Sequence, residues 1–403
     1  MLKAYKYRLY PTKGQTKKLN KTFGCVRFVW NNYVQTFNSY NKETNPKPIF
    51  KTSKELRTEF PFLKEISAAT LQYKQRHFDQ YKKNLFSKKI KDFGKPNFQS
   101  RKTHNSFSLC NSQCIRFVVD TEKSKIRIEK IGWVKFVCDR KLEEGCVLKN
   151  LTVSKDSCGH YWASVQFECQ IEHLPKTGKT VGIDLGLKEF VVTSDNIHID
   201  NPRYFAENQS KIARLQMWQS KKVGSKKGEK KSNRWLKNQK SINKCYWRLT
   251  NQRKDFLHNL TTKLVREYDI ICLEDLNVKG MMQNHKLAKS IGDVSWSMFN
   301  IFLQYKADWY GKDIRKISRF FPSSKTCSGC GFVKDDLVLK DRVFACPVCG
   351  LEIDRDYNAA VNIHSVGMNT ELNRTLMGAV TIPREASISN KHTQSLGNLT
   401  DNH

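Results

Sequence analysis

Acidic side chains are scarce in this chain. Among 403 residues, 38 Asp and Glu stand against 71 Lys and Arg, a formal net charge of +33 at pH 7. Such an excess repels itself unless a polyanion neutralises it, and long nucleic acid is the obvious partner. Long apolar runs are missing too. None reaches the roughly 18 residues from which a membrane-spanning helix is read. No basic amphipathic anchor or lipidation motif offers an acidic membrane as the rival polyanion, so no membrane partner is expected. The opening residues Met1 to Lys6 have no apolar stretch of the secretory kind. The 10 histidines are scattered without a triad or ligand cluster, which leaves Ser-His-Asp and Cys-His mechanisms without support. Apolar content, at 39%, is low but sufficient for packed cores and excludes wholesale disorder. The length suggests more than one domain, and no internal repeat is visible.

A disulfide framework is also missing. There are 13 cysteines, an odd number in a long chain, which fits a reducing cytosol. Nine of them are single and read as small core residues. The other four form two C-x-x-C knuckles, Cys327-Ser-Gly-Cys330 and Cys346-Pro-Val-Cys349, each followed by a glycine and separated by 15 residues. That spacing is within the range of a four-thiolate zinc ribbon. Four thiolates close a tetrahedral shell with no position left for water, so one Zn²⁺ is expected here in a structural role.

The hydrophobic pattern divides the chain. Leu2, Ala4, Tyr5, Tyr7 and Leu9 precede Pro11 as a strand. Leu19, Phe23, Val26, Trp30, Val34 and Phe37 recur at helical spacing, and a second helical stretch carries Leu71, Phe78, Tyr81 and Leu85. Residues 88–102 read as a loop. Between Cys114 and Glu168, short alternating runs separated by turn residues suggest a small β-barrel, with the helical unit inserted after its first strand. Strand and helix then alternate. Val181–Asp184 and Glu189–Thr193 read as a hairpin, Ile270–Leu273 as a short buried strand, and Trp296–Tyr310 as a helix stopped by Gly311. Between Ser210 and Lys254 the chain is helical and basic, with 15 Lys and Arg against one acid, Glu229, and a break near Gly224 and Gly228. Trp218, Trp235 and Trp247 lie in this stretch, able either to stack on bases or to pack a helix pair. Beyond Met368 the chain is polar and aperiodic and reads as a tail.

Three acids stand out by context. Asp184 ends the apolar strand Val181-Gly-Ile-Asp184 before a glycine turn, Glu274 ends Ile270–Leu273, and Asp356 opens a helix. Strand ends are where α/β sheets place their chemistry, and a carboxylate in a first helical turn is favoured by the macrodipole. Taken singly, each acid also reads as a cap or a solvated strand end. Taken together inside a basic groove, they suit a site in which two Mg²⁺ about 3.5–4 Å apart clamp a scissile phosphate.

These segments carry a resemblance. Val181-Gly-Ile-Asp-Leu-Gly-Leu-Lys-Glu-Phe190, Cys272-Leu-Glu-Asp-Leu276, Phe320-Phe-Pro-Ser-Ser-Lys-Thr-Cys-Ser-Gly-Cys-Gly331 and Asp354-Arg-Asp-Tyr-Asn-Ala-Ala-Val-Asn-Ile363 resemble the signature blocks of TnpB. TnpB is the RNA-guided nuclease of bacterial insertion sequences, related to type V CRISPR effectors. Tyr7-Arg-Leu-Tyr-Pro-Thr12, Arg27-Phe-Val-Trp-Asn31 and the stretch from Ser295 to Gly311 are similar to further blocks, so the likeness runs from about Lys3 to Ile363.

The resemblance implies a multidomain α/β chain. Residues 1–10 and 114–176 form a β-barrel wedge domain and residues 11–113 an inserted α-helical recognition domain. Residues 177–318 and 352–367 form an RNase H-like (RuvC) nuclease domain with a zinc ribbon at 319–351; the flexible tail at 368–403 is read from its polar, aperiodic composition and lies outside the likeness. The resemblance implies Asp184, Glu274 and Asp356 as catalytic ligands of two Mg²⁺. Asp354 is the competing candidate for the third position, disfavoured because the family's Asp-x-Asn-Ala-Ala pattern begins at Asp356. The implied partners are a guide RNA from the transposon end, bound by one protein copy, and double-stranded target DNA bearing a short adjacent motif. The implied setting is a bacterial-type cytosol, with nucleoid association during targeting. Motif contacts are expected from Ser53, Gln72, Lys74 and Gln75 and from Ser108 and Asn111. Contacts to guide RNA or heteroduplex are expected from Lys211, Arg214, Lys221, Lys222, Arg234, Lys237 and Lys240. The rival functions are a catalytically inactive RNA-guided repressor of the same family and a guide-free resolvase or transposase.

Overall fold

Alternation near the N-terminus produces the strand from which the first sheet grows. A computed structural model of the chain describes residues 1–39, 49–87, 94–112, 114–226, 228–284, 288–338 and 340–369. The chain divides into two compact units, residues 1–172 with 211–247, and residues 173–210 with 248 onward.

In the first unit, strand β1 (Leu2–Tyr10) buries Tyr5, Tyr7 and Leu9 on one face. Helix α1 (Lys13–Asn38) starts at a capping box, in which Thr12 accepts the Gln15 N–H and the Gln15 side chain accepts the Thr12 N–H. Helix α3 (Ala68–Leu85) packs on α1, and α2 (Ser53–Glu59) packs on α3. Their shared core holds Val29, Trp30, Tyr33, Leu56, Leu71 and Phe78. Strands β2 (Ser106–Cys110), β3 (Phe117–Asp120), β4 (Lys125–Ile128), β5 (Gly132–Phe136), β6 (Val147–Lys155) and β7 (Tyr161–Glu168) follow. With β1 they form an antiparallel sheet in the order β2-β6-β7-β1-β5-β4-β3. The β1–β7 register runs from Leu2↔Glu168 to Leu9↔Tyr161. The expected closed barrel is not completed by a ladder among the described residues, since β2 and β3 are the two ends of the order. A side chain ties the connection between them instead. Asn111 accepts the N–H groups of Arg116 and Phe117 and donates to the Phe117 carbonyl.

The second unit opens with strands β8 (Thr180–Asp184), β9 (Glu189–Thr193) and β10 (His198–Asp200). The expected β8–β9 hairpin is present, antiparallel through Ile183↔Thr193. Helices α4 (Tyr204–Ser220) and α5 (Asn233–Glu267) contain the basic stretch, the break between them spans the predicted glycine positions, and residues 211–247 of the pair belong to the first unit. Then come β11 (Ile270–Glu274), the short helices α6 (Val278–Met281) and α7 (Ala288–Val294), α8 (Trp296–Tyr310), β12 (Asp313–Ile317), β13 (Val343–Ala345), β14 (Glu352–Asp354) and α9 (Arg355–Met368). The main sheet has the order β10-β9-β8-β11-β12, with β11 parallel to both neighbours. Period-two alternation separates its faces. Val181, Ile183, Ile271 and Leu273 enter a core with Leu257 and Leu264 of α5 and Phe299 and Leu303 of α8.

The opposite face receives α9, and glycine permits the approach. A Cβ built on Gly182 would lie 2.3 Å from the Ala360 carbonyl oxygen and 2.5 Å from the His364 nitrogen. On the helix side, a Cβ on Gly367 would lie 2.4 Å from the Cys272 sulfur. Helix and sheet meet backbone to backbone at Gly182, and at Gly367 the helix backbone lies against the Cys272 side chain, so α9 is seated directly on β8 and β11. Among the described residues no helix is long and apolar enough to cross a membrane. Most of the expected tail, from residue 370 onward, lies outside the described residues, as do residues 88–93 of the expected loop.

Candidate active site

Parity along the strands decides where the acids point. Asp184 lies two residues beyond Gly182, and Glu274 two beyond Cys272, so both carboxylates share the face that α9 covers. The parallel register pairs Cys272 with Gly182 and Leu273 with Ile183, which brings the two acids to neighbouring strand ends. Asp356 lies in the first turn of α9. Burial, then the negative charges of Glu274 and Asp356, push the Asp184 carboxyl up to about 8. Glu274 is also pushed up by burial, against the pull of a hydrogen bond from Ser323. Burial and two nearby carboxylates that raise one acid's affinity for its proton are an electrostatic cost that a hard divalent cation relieves, and an all-carboxylate donor set suits Mg²⁺.

Each acid except Asp184 has a named side-chain partner. Ser323, itself buried, donates its hydroxyl to Glu274 Oε1. Arg355 donates to Asp356 Oδ1 from Nε at 3.0 Å and from a terminal nitrogen at 2.7 Å. Arg342 lies 3.7 Å from Asp356 Oδ2. Asp354 is spent differently. Its carboxylate accepts the N–H groups of Asp356 and Tyr357, both at 2.9 Å, as the N-cap of α9. Of the two competing acids, Asp354 thus has a capping duty while Asp356 is one of the charges that raise Asp184. The three carboxylates are not drawn within 4.8 Å of one another.

The four cysteines are drawn that close. Sγ of Cys327 lies 3.5 Å from that of Cys349, and Cys330 Sγ lies 3.6 Å from Cys346 Sγ. Thiolates about 2.3 Å from a tetrahedral zinc stand roughly 3.8 Å apart, so the cage can hold a structural Zn²⁺. Both knuckles turn through positive-φ glycines, Gly331 (79°) and Gly350 (73°). Asp156, Cys158 and His160 form another close group among the described residues. There the carboxylate is already occupied. Asp156 accepts the N–H groups of Cys158 and His160 and the Trp162 indole N–H, and lies 3.1 Å from the His160 ring. That arrangement is a self-satisfied turn.

Three family models match the chain: "Cas12f1-like, TNB domain" over residues 296–363, "Probable transposase" over 163–285 and "Helix-turn-helix domain" over 1–45. A Streptomyces pristinaespiralis protein described as "Putative RNA-guided DNA endonuclease" is 35% identical over 384 residues, 91% of this chain and 89% of its own. The chain belongs to the TnpB family. InsQ of Escherichia coli K12, with the same description, is 29% identical over 91% of this TnpB-family chain and 92% of its own. A solved structure, "Cryo-EM structure of the Cas12f1-sgRNA-target DNA complex", shares the fold at a TM-score of 0.53 and 14% identity, covering 90% of this chain and 98% of that one. Where the helix-turn-helix model matches, residues 1–39 contain a strand and a single long helix.

The expected nucleic-acid contacts of this TnpB-family chain separate by what their polar atoms already do. Gln72 is exposed and lines a cleft of about 400 Å³ with Gln75, Arg76, Ser112 and Arg116. Gln75 accepts the Ser53 N–H, and Ser53 is buried. Ser108 is hydrogen-bonded to Thr152 across the β2–β6 pair. Both ends of the Asn111 amide are used in tying β2 to β3. Lys74 lies over the Trp30 ring at 4.4 Å, and burial lowers its ammonium to about 8. Lys211, Arg214, Lys221, Arg234, Lys237 and Lys240 are exposed, while Lys222 bends back onto the Trp218 carbonyl. Trp247 packs edge-on against His160, Trp235 lies under Lys231, and Trp218 is 46% exposed with Arg214 above it. Sequence reasoning missed Ser323, Arg342 and Arg355 beside the acids. The only available signal was their adjacency to the cysteine knuckles and to Asp356.

Proposed function

We propose that this chain is an RNA-guided DNA endonuclease whose catalytic centre is Asp184, Glu274 and Asp356. The observation that carries the reading is the convergence of three acids from distant segments, two at the ends of neighbouring parallel strands and one in the first turn of the helix packed on them. The surrounding sheet, an antiparallel β10-β9-β8 meander extended by two parallel strands, agrees with an RNase H-like (RuvC) domain. The seven-stranded sheet with α1–α3 is read as wedge and recognition elements, and the segment with the four cysteines as the zinc ribbon. Two Mg²⁺, when bound, would supply an activated water and a clamp on the leaving oxygen. The protein's part is to hold the carboxylates in place and oriented, Glu274 through Ser323 and Asp356 through Arg355.

Sequence selection is delegated to base pairing with a guide RNA from the transposon end, held by backbone contacts to the basic residues of α4 and α5. The motif beside the target is read at the cleft holding Gln72, Arg76 and Arg116. The test is cleavage of a motif-bearing plasmid by protein purified with co-expressed RNA. Cutting with Mg²⁺, lost with EDTA and in Asp184→Ala, is expected. Binding without cutting points to the repressor, and cutting without RNA to a guide-free nuclease.

A further inference from the structure

The segment between β12 and α9 does more than fold around its cysteines, because both of its knuckles lead by short polar steps to the acids. The first path starts at Cys327. Its neighbours are held by two asparagines of α9. Asn358, fully buried, accepts the Ser328 N–H at 3.0 Å and donates to the Thr326 carbonyl at 2.7 Å. Asn362, one turn on and also buried, donates to Thr326 at 2.6 Å and to the Ser323 carbonyl at 2.8 Å. Ser323 then donates its hydroxyl to Glu274. The second path starts at Cys346, which follows β13. The β13–β14 pair runs from Ala345↔Glu352 to Val343↔Asp354. Arg355 donates its backbone N–H to the Arg342 carbonyl at 2.8 Å and its guanidinium to the Asp341 carbonyl at 2.9 Å, while holding Asp356 Oδ1.

The segment has little else to keep it in shape. Its core is Cys327, Phe344 and Cys346, with Leu337, Leu351 and Ile353 against them. A core of that size depends on its metal.

We propose that the cysteine cage is the positioning scaffold of the carboxylate centre: zinc there fixes Ser323 and Arg355, and through them sets how tightly Glu274 and Asp356 bind a divalent cation. This rests on reading the three acids as metal ligands. Partners that orient metal ligands typically contribute 10–100-fold in affinity.

The experiment is titration of the full, zinc-loaded chain with Mn²⁺, followed by calorimetry and by the electron spin resonance signal of the free ion. The wild type is expected to bind Mn²⁺ in a way lost in Glu274→Ala. Ser323→Ala should weaken that binding about tenfold at unchanged zinc content, and Ser323→Thr, which keeps the hydroxyl, should restore it. Stripping the zinc should weaken it at least as much. Ser323→Ala leaves the knuckles intact and decides the matter if the stripped chain unfolds. Unchanged affinity in Ser323→Ala, or in folded stripped protein, overturns the scaffold. A wild type whose Mn²⁺ binding ignores Glu274 overturns the carboxylate reading itself, and the scaffold with it.

Discussion

Asp184 occupies its position at a thermodynamic cost, and the sign of that cost can be tested. Burial, then the charges of Glu274 and Asp356, push its carboxyl up to about 8 from an ordinary value of 3.8. Between those values the folded state keeps a proton that the unfolded state releases, so this group makes stability fall as pH rises. Asp184→Asn removes the effect. In EDTA the variant should melt higher than wild type at pH 8, with the gap closing toward pH 4; a gap that widens on acidification would contradict the assignment. Mg²⁺ at pH 8 should raise the wild-type Tm and leave the variant nearly unmoved. At this scale the sequence was informative about the acids, because a charge at the end of an apolar run is visible in one dimension. It was silent on Ser323, Asn358 and Asn362. Their roles arise only when α9 lies flush on β8, which Gly182 allows.

Helix α9 separates two acids that the sequence left in competition. Asp354 satisfies two first-turn N–H groups, a cap whose loss costs about 1 kcal/mol. Asp354→Ala should therefore lower the denaturant midpoint modestly and keep cleavage measurable. Asp356→Ala should abolish cleavage while stability stays level or rises, since a repelling charge has gone. The reverse pattern would move the metal ligand to Asp354. Elements of strong periodicity, such as β1, α1, α3 and α8, were legible from spacing alone. Helix α2 escaped although Thr52 and Glu55 form a capping box, because its seven residues are too few for periodicity to show. Among the described residues, no ladder closes the seven-stranded sheet into the expected barrel. Alternation specifies strands but not whether the outer two meet, and here the link between them is the side chain of Asn111.

Charge acts at the scale of the whole molecule, and it is the feature for which structure adds least and solution measurement most. The +33 is spread through the chain, yet the stretch from Ser210 to Lys254 holds 15 of the bases with one acid. Exposed bases on helices impose no base sequence; they neutralise phosphates, and each neutralised phosphate releases counterions. The size of that effect is countable. Log–log plots of affinity against salt have a slope of about −0.7 per contacted phosphate for single strands and about −0.9 for duplex. Replacing Lys221, Arg234, Lys237 and Lys240 together by Gln should flatten the slope for guide RNA by about 3 and weaken binding most at low salt. Gln72→Ala should leave that slope untouched and relax only the choice of DNA motif, because an amide reads base edges and releases no ions. If the four-fold variant keeps the wild-type slope, these helices do not hold the RNA, and the excess charge must be neutralised on another face.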